Sequence, residues 1–268
     1  MATQPSTVET LEEGDLFFFY RPRIGTDQVR GWRDVQRFYM VLAARTPLRI
    51  YRLFVVGRKK LPQLVRGQHP DRRNWAAVVL VSDDPADLRR ELAAYEYDTR
   101  TRGRRFVPAA NPLGEGRYQL VRHRDHSELV YALELPRHIG PAQREFEIHQ
   151  EASYIVAVKN PEITIPGTPS TKYPPAYPER LRRKFGRQRW IDAEPDLLDY
   201  ENAQLLLLAA HSEEVEDELG VHIDTEDERL STAKVCRELR VSCERNKVTP
   251  LLQGTFPEHE QNEVTYGK

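Results

Sequence analysis

A pattern recurs at long range in this sequence, and it constrains the fold more than any single motif. Glu13–Arg21, EGDLFFFYR, lies over Glu115–His123, EGRYQLVRH, at an offset of 102. RLFVV (Arg52–Val56) lies over YIVAV (Tyr154–Val158) at the same offset. VVLVSDDPADLRREL (Val78–Leu92) lies over LLLLAAHSEEVEDEL (Leu205–Leu219) at an offset of 127. Literal identity is low, and half-buried strands align with one another by chance because all of them alternate. A period of roughly 100 residues is too long for a solenoid. Two pseudo-repeated lobes, each β-β-β-loop-β-α, are one expectation; a single mixed domain is the other.

Local signals fill in the elements. Leu16–Tyr20, Arg37–Ala43 and Ile50–Val56 read as strands. Trp75–Val81 is continuously apolar, which predicts a strand buried on both faces. Asp83 or Asp84 caps a helix that carries Pro85 in its first turn and ends near Ala94. Tyr95–Phe106 reads as an exposed strand. Gly116–Val121 and Leu129–Leu135 pair about a turn at Arg124–Ser127. Pro141–Phe146 suits one or two helical turns, and Ser153–Val158 a strand. Prolines at 161, 166, 169, 174, 175 and 178 exclude helix and central strand there. Glu179–Phe185 reads as a short basic helix stopped by Gly186. Leu205–Ala210 is a strand, Ser212–Gly220 a helix, and Thr225 begins a last helix running to about Asn246.

The order of elements predicts an α+β fold of mixed, mostly antiparallel sheets with a few short helices, with an all-antiparallel core as the alternative. Residues 1–12 form a flexible arm, 13–112 a first lobe and 113–224 a second. Residues 225–250 form a C-terminal helix and 251–268 a tail. Cys236 and Cys243, the only cysteines, fall on that last helix. There they stand roughly 10 Å apart along its axis, beyond the reach of a disulfide. No apolar run approaches the roughly 18–20 residues that span a bilayer, so no membrane partner is expected. The N-terminus lacks a signal-peptide pattern, which predicts a cytoplasmic protein.

Charge is uneven. Residues 1–200 hold 33 Lys and Arg against 26 Asp and Glu, whereas residues 201–268 hold 7 against 15. The cations concentrate in two loops. Arg58, Lys59, Lys60, Arg66, Arg72 and Arg73 lie in the first, and Arg180, Arg182, Arg183, Lys184, Arg187 and Arg189 in the second. Phe185 and Trp190 are interleaved with the second group, and Tyr173 and Tyr177 lie just upstream. Guanidinium groups match phosphate geometry, and aromatic rings stack on the bases of a single strand. The candidate anion site is therefore Arg58, Lys59, Lys60, Arg72, Arg73, Arg182, Arg183, Lys184, Arg187 and Arg189, with Phe185 and Trp190 as stacking rings. It requires the two loops to line one cleft. A solvated basic face is the plainer alternative.

Two further clusters carry titratable groups. His123-Arg-Asp-His126 has polar residues where a turn is expected, and spacing supplies no third ligand, so no metal is assigned. Asp192, Glu194, Asp196 and Asp199 surround Pro195, which suits acids at a helix start. Phosphate loops, dinucleotide turns, zinc-protease helices and nucleophile elbows are all absent from the sequence. The expectation is a non-catalytic binding protein that engages an anionic ligand, single-stranded nucleic acid or a phosphorylated molecule, through the two basic loops. The alternatives are an enzyme acting on a phosphorylated or carboxylated small molecule, with His123, His126 or Asp192–Asp199 as its chemistry, and an adaptor that forms a homodimer. No cofactor is identified.

Overall fold

The computed structural model describes residues 8–26, 28–45, 49–64, 73–101, 103–166, 168, 171–211, 223, 225, 233–241 and 244–257. Its strands follow the apolar runs. β1 (Val8–Pro22), β2 (Val35–Ala44), β3 (Ile50–Val56) and β4 (Arg73–Ser82) form an antiparallel meander. Helix α1 (Pro85–Leu92) follows, with the Asp84 side chain accepting from Ala86 N at 2.8 Å. β5 (Tyr95–Thr99) and β6 (Gly103–Val107) pair as a separate hairpin where a single exposed strand is expected.

β7 (Asn111–His123) and β8 (His126–Leu135) then turn tightly through Arg124-Asp125, with Arg124 at φ 57°. Helix α2 (Pro141–Glu145) leads to β9 (Glu151–Lys159). After the proline-rich stretch come α3 (Glu179–Phe185), β10 (Trp190–Asp192), α4 (Pro195–Leu198) and β11 (Gln204–His211).

These strands close on themselves in the order β9-β11-β4-β3-β2-β1-β7-β8, with β8 returning to β9. The result is a mostly β fold, an eight-stranded antiparallel barrel. Antiparallel pairing and a few short helices are as expected, but one closed barrel replaces the expected α+β sheets: closure comes from β1–β7 and β4–β11, pairs remote in sequence that alternation cannot reveal. Strands from residues 13–112 and 113–224 share this one barrel. β10 takes over from β8 along the same edge of β9.

Eight strands leave an interior that side chains fill. Phe18, Phe38, Tyr131 and Tyr154 form its aromatic centre, with Phe18 5.7 Å from Phe38 and 5.5 Å from Tyr131. Phe146 covers one end by packing on Tyr20 and Phe38. α4 covers the other, where Arg52 lies inside the barrel against Glu12 and Asp199.

The outward residues of β1–β3 are buried too. Phe17, Phe19, Tyr39 and Leu53 pack under Leu88 and Leu92 of α1 and under Val235, Leu239 and Leu251. This double burial is why FFFY reads as an unbroken apolar run. Gly14 and Gly116 have no room for a Cβ, which would strike the Ala43 and Ala132 carbonyls.

The last segment differs from the expected helix over 225–246. Its described part holds two short helices, α5 (Lys234–Arg237) and α6 (Arg245–Gln253), with Arg240 between them at φ 51°. Tertiary contacts set this break. The Glu115 carboxylate accepts from Lys234 N and Val235 N, both at 2.9 Å. Lys234 is buried, with its ammonium against Glu134 and 3.4 Å from Asp15. Cys236 is disulfide-bonded, contrary to the expectation from a single helix. Cys243 and the helix expected at Ser212–Gly220 lie outside the described residues. No helix among the described residues is long and apolar enough to cross a membrane.

Candidate ligand-binding face

Among the described residues, no helix covers the outer surface of β4, β11 and β9 around Trp75 and Leu206 as α1 covers that of β1–β3. Residues alternating with the core point outward here. Trp75 pairs with Leu206, Leu206 with Ala157, and Ala157 with Asp192 of β10. Trp75, Ala77, Leu206, Leu208, Ile155 and Ala157 are all half-buried. The apolar run at Trp75–Val81 is therefore packed on its inward face, while outward Val79 and Leu80 pack against the cluster under α1 and Trp75 and Ala77 are only half-buried. Trp75 and Trp190 lean toward each other across this surface, with ring centroids 5.2 Å apart and planes at 35°.

Two depressions adjoin the pair. One, of about 130 Å³, is lined by Val55, Gly57, Trp75 and Gln204. The other, of about 290 Å³, is lined by Lys159, Gln204, Asn202 and the hydroxyl-bearing Thr164, Thr168 and Thr171. Gln204 lines both. Burial lowers the pKa of the Lys159 ammonium below the usual lysine value, and an anion beside it would pull that pKa back up.

The ten predicted cations divide. Arg182 and Arg183 pair with Glu179 at 3.0 and 2.9 Å. Lys184 bridges Glu194 at 2.5 Å and Asp196 at 3.3 Å, and those contacts, against an opposing burial effect, raise its pKa. Lys60 lies 3.7 Å from Glu147. Lys59 donates to the Val35 carbonyl at 2.5 Å; burial and then the Arg23 charge lower its pKa. Arg58 begins the turn after β3 at φ 47°, and Arg72 lies outside the described residues. Arg73, Arg187 and Arg189 are exposed and form no ion pair among the described residues. They flank the tryptophans: Arg73 is two residues before Trp75 on the same strand, and Arg189 adjoins Trp190.

The rings divide as well. Trp190 lies on the open face. Phe185 is buried in the core beside Tyr177, at 5.6 Å, and has no face open to a ligand. Its place in the sequence between charges reflects the inward side of α3. Tyr177 is also buried, donating to the Leu197 carbonyl at 2.9 Å, whereas Tyr173 is exposed. Trp75 and Lys159 escape the sequence reading because nothing local says which strand face remains uncovered.

The carboxylate cluster also splits. Glu194 pairs with Lys184 and Arg122, Asp196 with Arg180 and Lys184, and Asp199 with Arg52. Asp192 instead faces the histidine turn. Burial raises its pKa, against the pull of His126 and Arg122. His123 sits opposite His126 in the hairpin register, with the rings 5.5 Å apart. Both point at one oxygen of Glu128, a buried residue that also accepts from Ser153. Burial opposes both charges here, yet these contacts prevail, lowering the pKa of Glu128 and raising that of His126.

No family model matches the chain, and neither does any curated protein or solved structure.

Proposed function

We propose that the chain is a non-catalytic binding protein that takes single-stranded nucleic acid on the open face of β4, β11, β9 and β10. Bases stack on Trp75 and Trp190, and phosphates meet Arg73, Arg187, Arg189 and Lys159. The Trp75–Trp190 contact carries this proposal, because it joins the ends of two basic segments more than a hundred residues apart in sequence. Rings interleaved with cations that form no ion pair among the described residues suit a strand whose bases are splayed out.

Titrating the chain with a short single-stranded oligonucleotide, followed by tryptophan fluorescence, tests it. Affinity falls with salt. Replacing Arg73, Arg187 and Arg189 with Ala together flattens the slope of log K against log salt by about 2, at ~0.7 per phosphate contact. Absence of binding, or a slope untouched by the triple substitution, refutes the proposal. Equal affinity for a mononucleotide and for longer strands assigns the face to a small phosphorylated ligand instead.

We also infer that the two halves are copies of one β-β-β-loop-β-α unit. Three features support this. β1–β4 and β7, β8, β9, β11 are each consecutive neighbours around the barrel. Gly14 pairs with Tyr118 and Gly116 with Leu16, the exchange that a two-fold axis makes at an offset of 102. Ala77 pairs with Gln204, its own counterpart at an offset of 127. The proposed binding face lies across this β4–β11 seam.

A further inference from the structure

We propose that His123, His126 and Glu128 bind a divalent transition-metal ion, with Zn²⁺ as the fitting case. The site adjoins the tryptophan face across β9, on the same outer surface, but does not depend on it. A two-residue loop sets His123 opposite His126, and Glu128 follows two residues later on the same strand face. One ligand atom from each of the three lies within 4.8 Å of the others.

The donors already converge. His126 Nε2 is 2.8 Å and His123 Nδ1 3.3 Å from the same Glu128 oxygen, Oε1. Ligands bound tetrahedrally at about 2.0–2.1 Å stand about 3.3 Å from one another, so a small expansion admits the ion. The second Glu128 oxygen accepts from Ser153 Oγ, which orients the carboxylate as an outer partner orients a metal ligand.

Two observations favour an ion over a plain hydrogen-bonded cluster. Both imidazoles compete for one carboxylate oxygen. Asp192 adds a second negative charge, since it follows Glu128 along the same edge of β9. His126 is the most exposed of the three at 26%, and that side gives an ion its path in. Two imidazoles and a carboxylate, with a position left for water, form a donor set that zinc accepts.

The test is calorimetric titration of the full chain with Zn²⁺ after dialysis against a chelator, with circular dichroism to check that each variant is folded. The expected result is one ion per chain. His126→Ala and Glu128→Gln each weaken binding by more than about 100-fold, and Ser153→Ala weakens it by about 10–100-fold. His138→Ala leaves affinity unchanged. Cobalt(II) bound at the same site gives the visible absorption of a tetrahedral ion, which His126→Ala abolishes. Absence of binding, or a stoichiometry and affinity that survive His126→Ala in a folded chain, overturns the proposal.

Discussion

Replacing Glu12 with Gln should destabilise the barrel from inside. Arg52 is 1% exposed, and its guanidinium meets both Glu12 oxygens at 2.6 and 3.0 Å, with Asp199 at 2.7 Å. Tyr118 donates to Glu12 Oε1 at 2.7 Å. Removing one partner of a buried pair typically costs about 3–5 kcal/mol, because the other charge stays desolvated. Asp199 remains and is partly solvated, so the lower figure applies. An unfolding entropy of about 2.1 cal/mol/K per residue over 268 residues gives about 0.56 kcal/mol/K, so about 3 kcal/mol lowers Tm by about 5 °C. Adding Arg52→Met should recover most of that loss. The stranded cation is then gone, the amide at position 12 still accepts from Tyr118, and Asp199 turns to water. Calorimetric melting of the two variants and the parent decides the matter. A single variant that melts within about 1 °C of the parent, or a double variant worse than the single, refutes the account of Arg52 as a charge held by Glu12.

Three further outcomes follow from the same structure. Glu115→Gln weakens the cap on Lys234 N and Val235 N, so amide exchange across 233–241 speeds up by about tenfold while β1 and β2 amides keep their rates; equal acceleration in both places contradicts the clasp. Burial pushes the Tyr20 hydroxyl up to about 12, against a small opposing pull from Asn111, and burial raises Tyr118, Tyr131, Tyr154 and Tyr177 as well. Each of these folded values lies above the unfolded one, so their contribution is whole below about pH 10 and is lost as pH rises toward the folded values. In an alkaline absorbance titration these tyrosines therefore ionise together with the loss of sheet signal; ionisation near pH 10 in a folded chain counts against the packed interior. Zinc binding at His123, His126 and Glu128 stands as a separate outcome, read by its own titration.

Much of the local structure was legible in the sequence. The expected strands at Leu16–Tyr20, Arg37–Ala43, Ile50–Val56 and Leu205–Ala210 lie within β1, β2, β3 and β11, and Asp84-Pro85 does open α1. Such features depend on neighbours a few residues away. Barrel closure does not: Gly14 meets Tyr118 and Ala77 meets Gln204 through pairings that periodicity leaves open. The C-terminal region shows the same limit. Its helical pattern is genuine, but Glu115 fixes where α5 starts, from 119 residues away.

The sites divide along that line too. Arg182, Arg183 and Lys184 look like ligand cations in a one-dimensional count, yet each already has a carboxylate partner, Glu179 for the two arginines and Glu194 and Asp196 for the lysine. Phe185 sits between charges in sequence and faces the core in space. Glu128 escaped the sequence reading, which found no third ligand by spacing; only the hairpin register brings it to the two imidazoles. Trp75 was hidden because an apolar run does not say which of its two faces a helix will cover.

Anisotropy titration of a dye-labelled single-stranded oligonucleotide with Trp75→Ala and Trp190→Ala chains bears most directly on the binding face. Stacking contributes about 1–3 kcal/mol per base, so each substitution weakens binding by roughly 5- to 150-fold, while Trp32→Ala leaves it near the parent value. Full affinity in a folded double variant lacking both Trp75 and Trp190 would contradict it.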